Sequence, residues 1–225
     1  MIQLILAALF FTGIHLFISG TGLRGVIVDV TGERIYRGLF SLLSIAGLLW
    51  LIWAYKRAEY LGLWGPIHAF KPGTLILMMF AFLFAVLGLT TPNPTAVGGE
   101  PLLEDPEPAK GILRITRHPF LWGVAIWAIA HLIVSGDAGS FIFFGSFLIL
   151  VLAGTVSIDA KRKRVFGDQW ERFASVTSNL PFMAILQGHN VLRLGELGGW
   201  RIMAALLAYA LVLSAHPWLF GVSPW

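Results

Sequence analysis

Two histidines stand inside long apolar runs of this 225-residue chain, and an imidazole is a common metal ligand. His15 lies in the run that begins at Ile2, and His131 lies in the run that begins at Phe120. An ionisable side chain is costly inside a bilayer, so its presence there points to a function. Imidazoles from two separate helices can coordinate the iron of a haem. The pair predicts a haem or metal site held by His15 and His131.

Small and aromatic residues share helix faces with both histidines. Gly123, Trp127 and His131 recur every four residues, so Trp127 is expected beside the second ligand. Small residues on the face of His15 would let a helix or a flat macrocycle come close. His68 is an alternative partner for His131. Ordinary packing, with each imidazole hydrogen-bonded to a neighbouring helix, would explain the same pattern.

The sequence Arg117-His118-Pro119 directly precedes the run that contains His131. Proline suits the first helical turn because it lacks an N–H, and the residue before it is usually extended. His118 is therefore predicted to cap the helix, where the helix dipole favours a neutral imidazole. Arg117 can pair with an anionic group. The motif predicts either a helix start at the membrane interface or a contact to an anionic cofactor.

The composition is that of an all-α, polytopic membrane protein. Hydrophobic residues make up 57% of the chain, charged residues only 12%, and the mean hydropathy is +0.78. The absence of cysteine excludes disulfides, thiolate ligands and cysteine nucleophiles. We expect one domain, residues 1–225, with six transmembrane helices and an interfacial amphipathic helix between the fifth and the sixth. The six predicted spans are Ile2–Ser19, Leu39–Tyr55, Thr74–Leu89, Phe120–Ser135, Phe141–Ile158 and Ile202–Leu219.

Basic residues concentrate in the first, third and fifth connections between these spans. The positive-inside rule then places those connections in the cytoplasm and both termini in the periplasm. The net charge of +4 thus indicates contact with lipid headgroups and argues against nucleic acid as a partner. The proline-rich third connection is predicted to be irregular. In the fifth, Val165, Phe166, Trp170 and Phe173 are predicted to share the apolar face of the amphipathic helix.

Several motifs together resemble the NnrU family of bacterial inner-membrane proteins. They are FFTGIHLFISGTGLRG, RITRHPFLWGVAIWAIAHLIVSGD, DAKRKRVFGDQW and TSNLPF. The resemblance covers nearly the whole chain, and its most specific part is the joint spacing of the RHP motif, the AHL triplet and the Asp-Lys-Arg stretch.

This resemblance implies a multi-pass protein of the bacterial inner membrane linked to nitrite and nitric oxide metabolism. The plant zeta-carotene cis–trans isomerases resemble the same family and imply haem b with histidine ligands at the positions of His15 and His131. The implied activity is that of a haem-dependent isomerase or oxidoreductase acting on an apolar small molecule. Arg24, Arg37, Arg114 and Arg117 are then candidates to pair with the haem propionates, since guanidinium matches carboxylate.

Two alternatives of other classes stay open. The RHP motif and the VFGDQWERF segment are similar to isoprenylcysteine carboxyl methyltransferases and related membrane reductases. That similarity implies a cytoplasmic pocket for S-adenosylmethionine or NAD(P)H, with Arg117 and His118 on the cofactor and Trp170 and Arg172 capping it. The other alternative is a non-enzymatic assembly factor whose partners are respiratory or denitrification proteins.

Overall fold

The computed structural model describes residues 1–64 and 67–224, apart from the side chain of His68. The alternative partner of His131 therefore lies outside the described side chains. The described chain is helical, and its β pairing is limited to an isolated bridge between Gly62 and Asp137. The α-helices are α1 (Ile2–Gly13), α2 (Leu23–Thr31), α3 (Glu33–Lys56), α4 (Lys71–Thr90), α5 (Pro119–Ser135), α6 (Ala138–Phe166), α7 (Asp168–Ser175), α8 (Met183–Leu186) and α9 (Gly199–Phe220).

Five helical segments are long and apolar enough to cross a membrane, counting only the described residues. They are Ile2–Ser19, where α1 continues as a π-helix over Ile14–Ser19, together with α3, α4, α6 and α9. The all-α membrane class is thereby confirmed. Helix α5 is apolar but has 17 residues, which is about the shortest length that spans a bilayer. The sixth span therefore stays a prediction.

The chain divides into two compact units. Unit 1 comprises Met1–Phe70 and His131–Gly154, and unit 2 comprises Lys71–Ala130 and Thr155–Trp225. Helices α5 and α6 are each divided between the two units. The prediction of one domain over residues 1–225 stays a prediction.

In unit 1, α1 packs along α3. Leu4 and Phe11, which are seven residues apart and share one face of α1, are buried. Leu51 is buried on α3. Gly47 allows the close approach, because a Cβ there would lie 3.0 Å from the ring of Phe10. The opposite faces carry exposed apolar side chains, as expected for helices that contact lipid.

In unit 2, α4 packs against α9 and also lies very close to α5. A Cβ on Gly88 would lie 2.5 Å from the backbone nitrogen of Phe120, and one on Gly123 would lie 2.9 Å from the carbonyl oxygen of Ala81. Such small residues are what bring helix backbones together in membranes.

The third connection is more ordered than its prolines predict. It contains 3₁₀ turns at Glu100–Glu104 and Gly111–Arg114, and Leu103, Ile112 and Leu113 are buried in the core of unit 2. The prediction of an irregular segment misses this because the burial depends on distant partners.

The predicted amphipathic segment is divided by Gly167, whose φ of +46° suits glycine. Val165 lies at the end of α6 and is 71% exposed, whereas Trp170 and Phe173 on α7 are buried in the core of unit 2. Phe166 also packs against this core. Phe166, Trp170 and Phe173 therefore share one apolar environment as predicted, whereas Val165 does not, and the predicted single helix is interrupted at Gly167.

Candidate functional site

His15 lies on the π-helix, a local widening that often marks functional positions in membrane helices. Its Nδ1 donates a hydrogen bond of 2.7 Å to the carbonyl oxygen of Phe11. Since a carbonyl can only accept, Nδ1 carries the proton, and in the neutral ring Nε2 keeps its lone pair. Nε2 lies 3.4 Å from the hydroxyl of Ser44 on α3. A backbone bond of this kind is what orients a metal-binding imidazole.

Aromatic rings connect His15 to a charged group at the start of α3. The His15 ring meets Phe40 edge-on with centroids 5.2 Å apart, and Phe40 stacks on Tyr36 at 5.7 Å. The Arg24 guanidinium lies over the Tyr36 ring, 5.3 Å from its centroid. Glu33 accepts from both Arg24 and Arg37 at 2.6 Å. Two guanidinium groups share one carboxylate, so this end of unit 1 carries surplus positive charge.

His131 lies on α5, one turn beyond Trp127, and its ring stacks on Phe144 with centroids 4.6 Å apart. Phe144 belongs to a cluster of touching rings that we call the aromatic cluster. Its members are Phe11, Phe143, Phe144 and Phe147, with centroid separations of 5.0–5.5 Å between neighbours. His15 contacts the same cluster through Phe11 at 4.8 Å. The structure thus brings both predicted ligands to one cluster within unit 1.

The second constellation is the RHP motif, which lies in unit 2. Asp159 on α6 accepts from Arg117 through Nε, at 2.9 and 3.0 Å, and through Nη2. The Nε2 of His118 lies 2.7 Å from the same carboxylate, and Arg117 Nη1 donates to the carbonyl of Thr177. His118 is only 2% exposed. Asp159 therefore holds both side chains of the motif.

The segment around Ser178 and Asn179 completes this network. The backbone N–H of Arg117 donates to the carbonyl of Ser178, and Trp122 Nε1 donates to that of Asn179. Phe182 adopts a left-handed φ of 67°, and its N–H donates to Ile115. A strained non-glycine residue of this kind is kept where the surrounding contacts enforce it. The TSNLPF motif thus anchors the RHP motif.

These contacts bear on the predicted nucleotide pocket. The guanidinium of Arg117 uses three nitrogens on Asp159 and Thr177, and His118 uses Nε2 on Asp159. Trp170 is buried in the core of unit 2, 5.8 Å from the Arg117 guanidinium, and Arg172 is exposed. Binding of S-adenosylmethionine or NAD(P)H stays a prediction that would require these ion pairs to open.

A third polar group surrounds Arg114, whose side chain is 5% exposed. It donates to Glu196 through Nε and Nη2, to Glu107 through Nη2 and to Asn190 through Nη1. The Arg114 guanidinium lowers the pKa of Glu196 to about 2. This group joins the 3₁₀ turn at Gly111–Arg114 to the one at Leu194–Leu197.

All four arginines predicted to bind propionates thus have a carboxylate partner in the chain. Arg24 and Arg37 lie in the same unit as His15, whereas Arg114 and Arg117 lie in unit 2. Within the described residues, no group of three or more His, Asp or Glu side chains lies close enough to hold a metal ion. Sequence reasoning missed Tyr36, Ser44 and Glu196. Ser44 lies 29 residues from His15 in the chain and Glu196 lies 82 residues from Arg114, so no local pattern connects them.

The fold and these sites define a helical membrane protein with two histidines in apolar helices and a buried Arg-His-Asp network. Residues 3–224 match the family model described as NnrU protein. The chain belongs to the NnrU protein family.

Two curated relatives carry the name 15-cis-zeta-carotene isomerase, chloroplastic. The one from Arabidopsis thaliana is 26% identical over 230 residues, which cover 99% of this chain and 61% of that protein. The one from Zea mays is 29% identical over 197 residues, which cover 85% of this chain and 52% of that protein. The matches thus span somewhat more than half the length of these relatives. No solved structure matches.

Proposed function

We propose that this chain binds haem b within unit 1, with His15 and His131 as the iron ligands, and supports an isomerase-like reaction of an apolar substrate drawn from the bilayer. The proposal is supported by membership of the NnrU family and by relatives that are named as isomerases of 15-cis-zeta-carotene. Exposed apolar side chains on α1 and α3 are consistent with a substrate that arrives through lipid.

The observation that carries the proposal is the state of the His15 ring. Its Nδ1 is committed to the carbonyl of Phe11, which leaves Nε2 as the atom available to a metal. Within the described structure, Nε2 has a polar contact with the Ser44 hydroxyl at 3.4 Å. A hydrogen bond of this length is weak. The surplus charge of Arg24 and Arg37 suits a ligand that carries carboxylates. Together, these features support a haem as the ligand.

The chain's own residues have separate tasks in this proposal. His15 and His131 hold the iron, and the Phe11 carbonyl keeps the His15 ring in the required tautomer. Arg24 and Arg37 pair with the propionates. The aromatic cluster supplies an apolar wall that excludes water and positions both imidazoles. When bound, haem b supplies an iron centre that can exchange an electron, and this chemistry also suits redox sensing or the nitrite and nitric oxide metabolism implied by the family resemblance.

The optical spectrum of the detergent-purified protein tests the proposal. Protein from haem-replete cells is expected to show a Soret band with a stoichiometry near one haem per chain. His15→Ala and His131→Ala should each remove or shift this band. His216→Ala is the matched control, because its Nδ1 is bonded to the carbonyl of Val222 near the end of α9, and it should leave the band unchanged.

A colourless preparation that does not take up added hemin would overturn haem binding. In that case the assembly-factor alternative predicts neither a Soret band nor nucleotide binding, together with loss of a partner's maturation when the chain is deleted. Heat released on titration with S-adenosylmethionine or NADPH would favour a pocket at Arg117 and His118.

A further inference from the structure

The hydroxyl of Tyr36 is buried without a partner. Tyr36 is 7% exposed, and its Oη forms no hydrogen bond within the described chain. A buried tyrosine usually directs its hydroxyl to an acceptor, because leaving the group unpaired costs free energy. An orphaned buried donor of this kind suggests that its acceptor comes from outside the chain.

The charges near the Tyr36 ring favour an anion as the acceptor. Arg24 lies over the Tyr36 ring, and Arg24 and Arg37 together face a single carboxylate, Glu33. One positive charge is therefore left over at this point. The side chain of Arg24 is 39% exposed and that of Arg37 is 60% exposed. Both guanidinium groups are accessible, and the Tyr36 ring lies beneath that of Arg24.

The location connects this group to His15. Tyr36 stacks on Phe40, and Phe40 contacts the His15 ring edge-on. The orphaned hydroxyl thus lies two ring contacts from the imidazole whose Nε2 is available. A guest bound at His15 could carry an anionic arm towards Tyr36.

We propose that Tyr36 and Arg24 form an oxyanion site, in which the phenol donates a hydrogen bond and the guanidinium forms an ion pair with a carboxylate or phosphate of a bound guest. Arg24 must move away from the ring to admit the guest, which its exposed, flexible side chain permits. Two sources offer this chemistry, a haem propionate and the phosphate of an anionic phospholipid. The inference rests on the proposed function only if the guest is haem.

Thermal unfolding in detergent tests the site through the Tyr36→Phe variant. Without a guest, removing an unpaired buried hydroxyl should leave the Tm unchanged or raise it. Tyr209→Phe is the matched control, because the Tyr209 hydroxyl donates to the carbonyl of Leu75 at 3.0 Å, and this variant should lower the Tm with or without a guest. A fall in Tm for Tyr36→Phe equal to that for Tyr209→Phe would show that the hydroxyl serves the fold, and would overturn the proposal.

Binding is then measured with hemin, with phosphatidylglycerol and with phosphatidylcholine as a lipid of no net charge. Either hemin or phosphatidylglycerol should raise the Tm of the unmodified chain. Tyr36→Phe and Arg24→Gln should each weaken the affinity for that guest by about tenfold. The guest that responds identifies the source. If neither guest stabilises the protein, or if both variants bind like the unmodified chain, the oxyanion site is refuted.

The two proposals can fail separately. If His15→Ala loses haem while Tyr36→Phe keeps the hemin affinity and the phospholipid response of the unmodified chain, haem binding is sustained and the oxyanion site is refuted. A protein without a Soret band whose response to phosphatidylglycerol depends on Tyr36 would do the reverse.

Discussion

Single side chains in this protein are controlled by one or two strong contacts. The carbonyl of Phe11 determines which nitrogen of His15 carries the proton, and Asp159 on α6 determines where Arg117 and His118 point. Arg117 and Asp159 are 14% and 19% exposed, so their attraction is weakly screened by solvent. Removing one partner of such a pair leaves the other charge buried and uncompensated.

Asp159→Asn should therefore destabilise the protein. We expect a loss of about 3 kcal/mol, in line with broken buried ion pairs, which corresponds to a fall in Tm of roughly 6–12 °C for a chain of this size. Differential scanning fluorimetry in detergent measures the change. Glu104→Gln is the charge-matched control at an exposed position and should shift the Tm little. Equal shifts for the two variants would show that the RHP network does not support the fold.

Helices in this protein approach one another where the side chain is smallest. Gly88 on α4 and Gly123 on α5 leave room for the facing backbone, and Gly47 on α3 leaves room for Phe10. The π-helix over Ile14–Ser19, which contains His15, is a separate local feature that follows directly after Gly13.

Gly123→Ala tests the packing of α5 against α4. The new Cβ would lie 2.8 Å from the nitrogen of Ala85 and 2.9 Å from the carbonyl of Ala81, and backbone atoms cannot give way cheaply. We expect a destabilisation of about 1–3 kcal/mol. Gly145→Ala on α6 is the control, since a Cβ there meets nothing within 4 Å and alanine is the better helix former. Chemical denaturation in detergent that gives both variants the same midpoint would contradict this packing.

Across the full chain, the two units hold different kinds of site. Unit 1 contains His15, His131, the aromatic cluster and the ion pairs of Arg24 and Arg37 with Glu33, whereas unit 2 contains the RHP network and the Arg114 group. The family match covers both units. We therefore expect ligand binding to be altered by substitutions in unit 1 and folding to be most sensitive in unit 2.

The membrane topology depends on whether α5 crosses the bilayer. Arg57 follows α3 and Arg164 lies near the end of α6, so the chain between them passes through α4, α5 and most of α6. These two exposed residues lie on opposite sides of the membrane if all three helices cross it, and on the same side if α5 does not. The chain has no cysteine, so single substitutions Arg57→Cys and Arg164→Cys can be labelled without background. With a membrane-impermeant maleimide in intact spheroplasts, we expect labelling at position 57 and, only after lysis, at position 164. Identical labelling patterns would refute the six-span topology.

Local sequence was sufficient to predict the helical membrane class and the positions of the long apolar helices. Hydropathy acts over about twenty neighbouring residues, which is the length of a span, so it can be read without knowing the tertiary structure. The functional role proposed for His15 and His131 rests on the same kind of local signal, because an imidazole among apolar residues is unusual wherever the helix lies, and that role stays a prediction. The resemblance to the NnrU family was likewise visible in the motifs, and the family match confirms it.

Only the tertiary structure decided which polar groups meet. Arg114 pairs with Glu196, 82 residues away, and Arg117 pairs with Asp159, 42 residues away. No local periodicity connects such positions, because these contacts form when distant segments pack together. The same holds for Tyr36, since an unpaired hydroxyl can be recognised only after every possible partner has been placed. Helices are encoded by neighbours in the chain, whereas ion pairs and orphaned donors arise from neighbours in space.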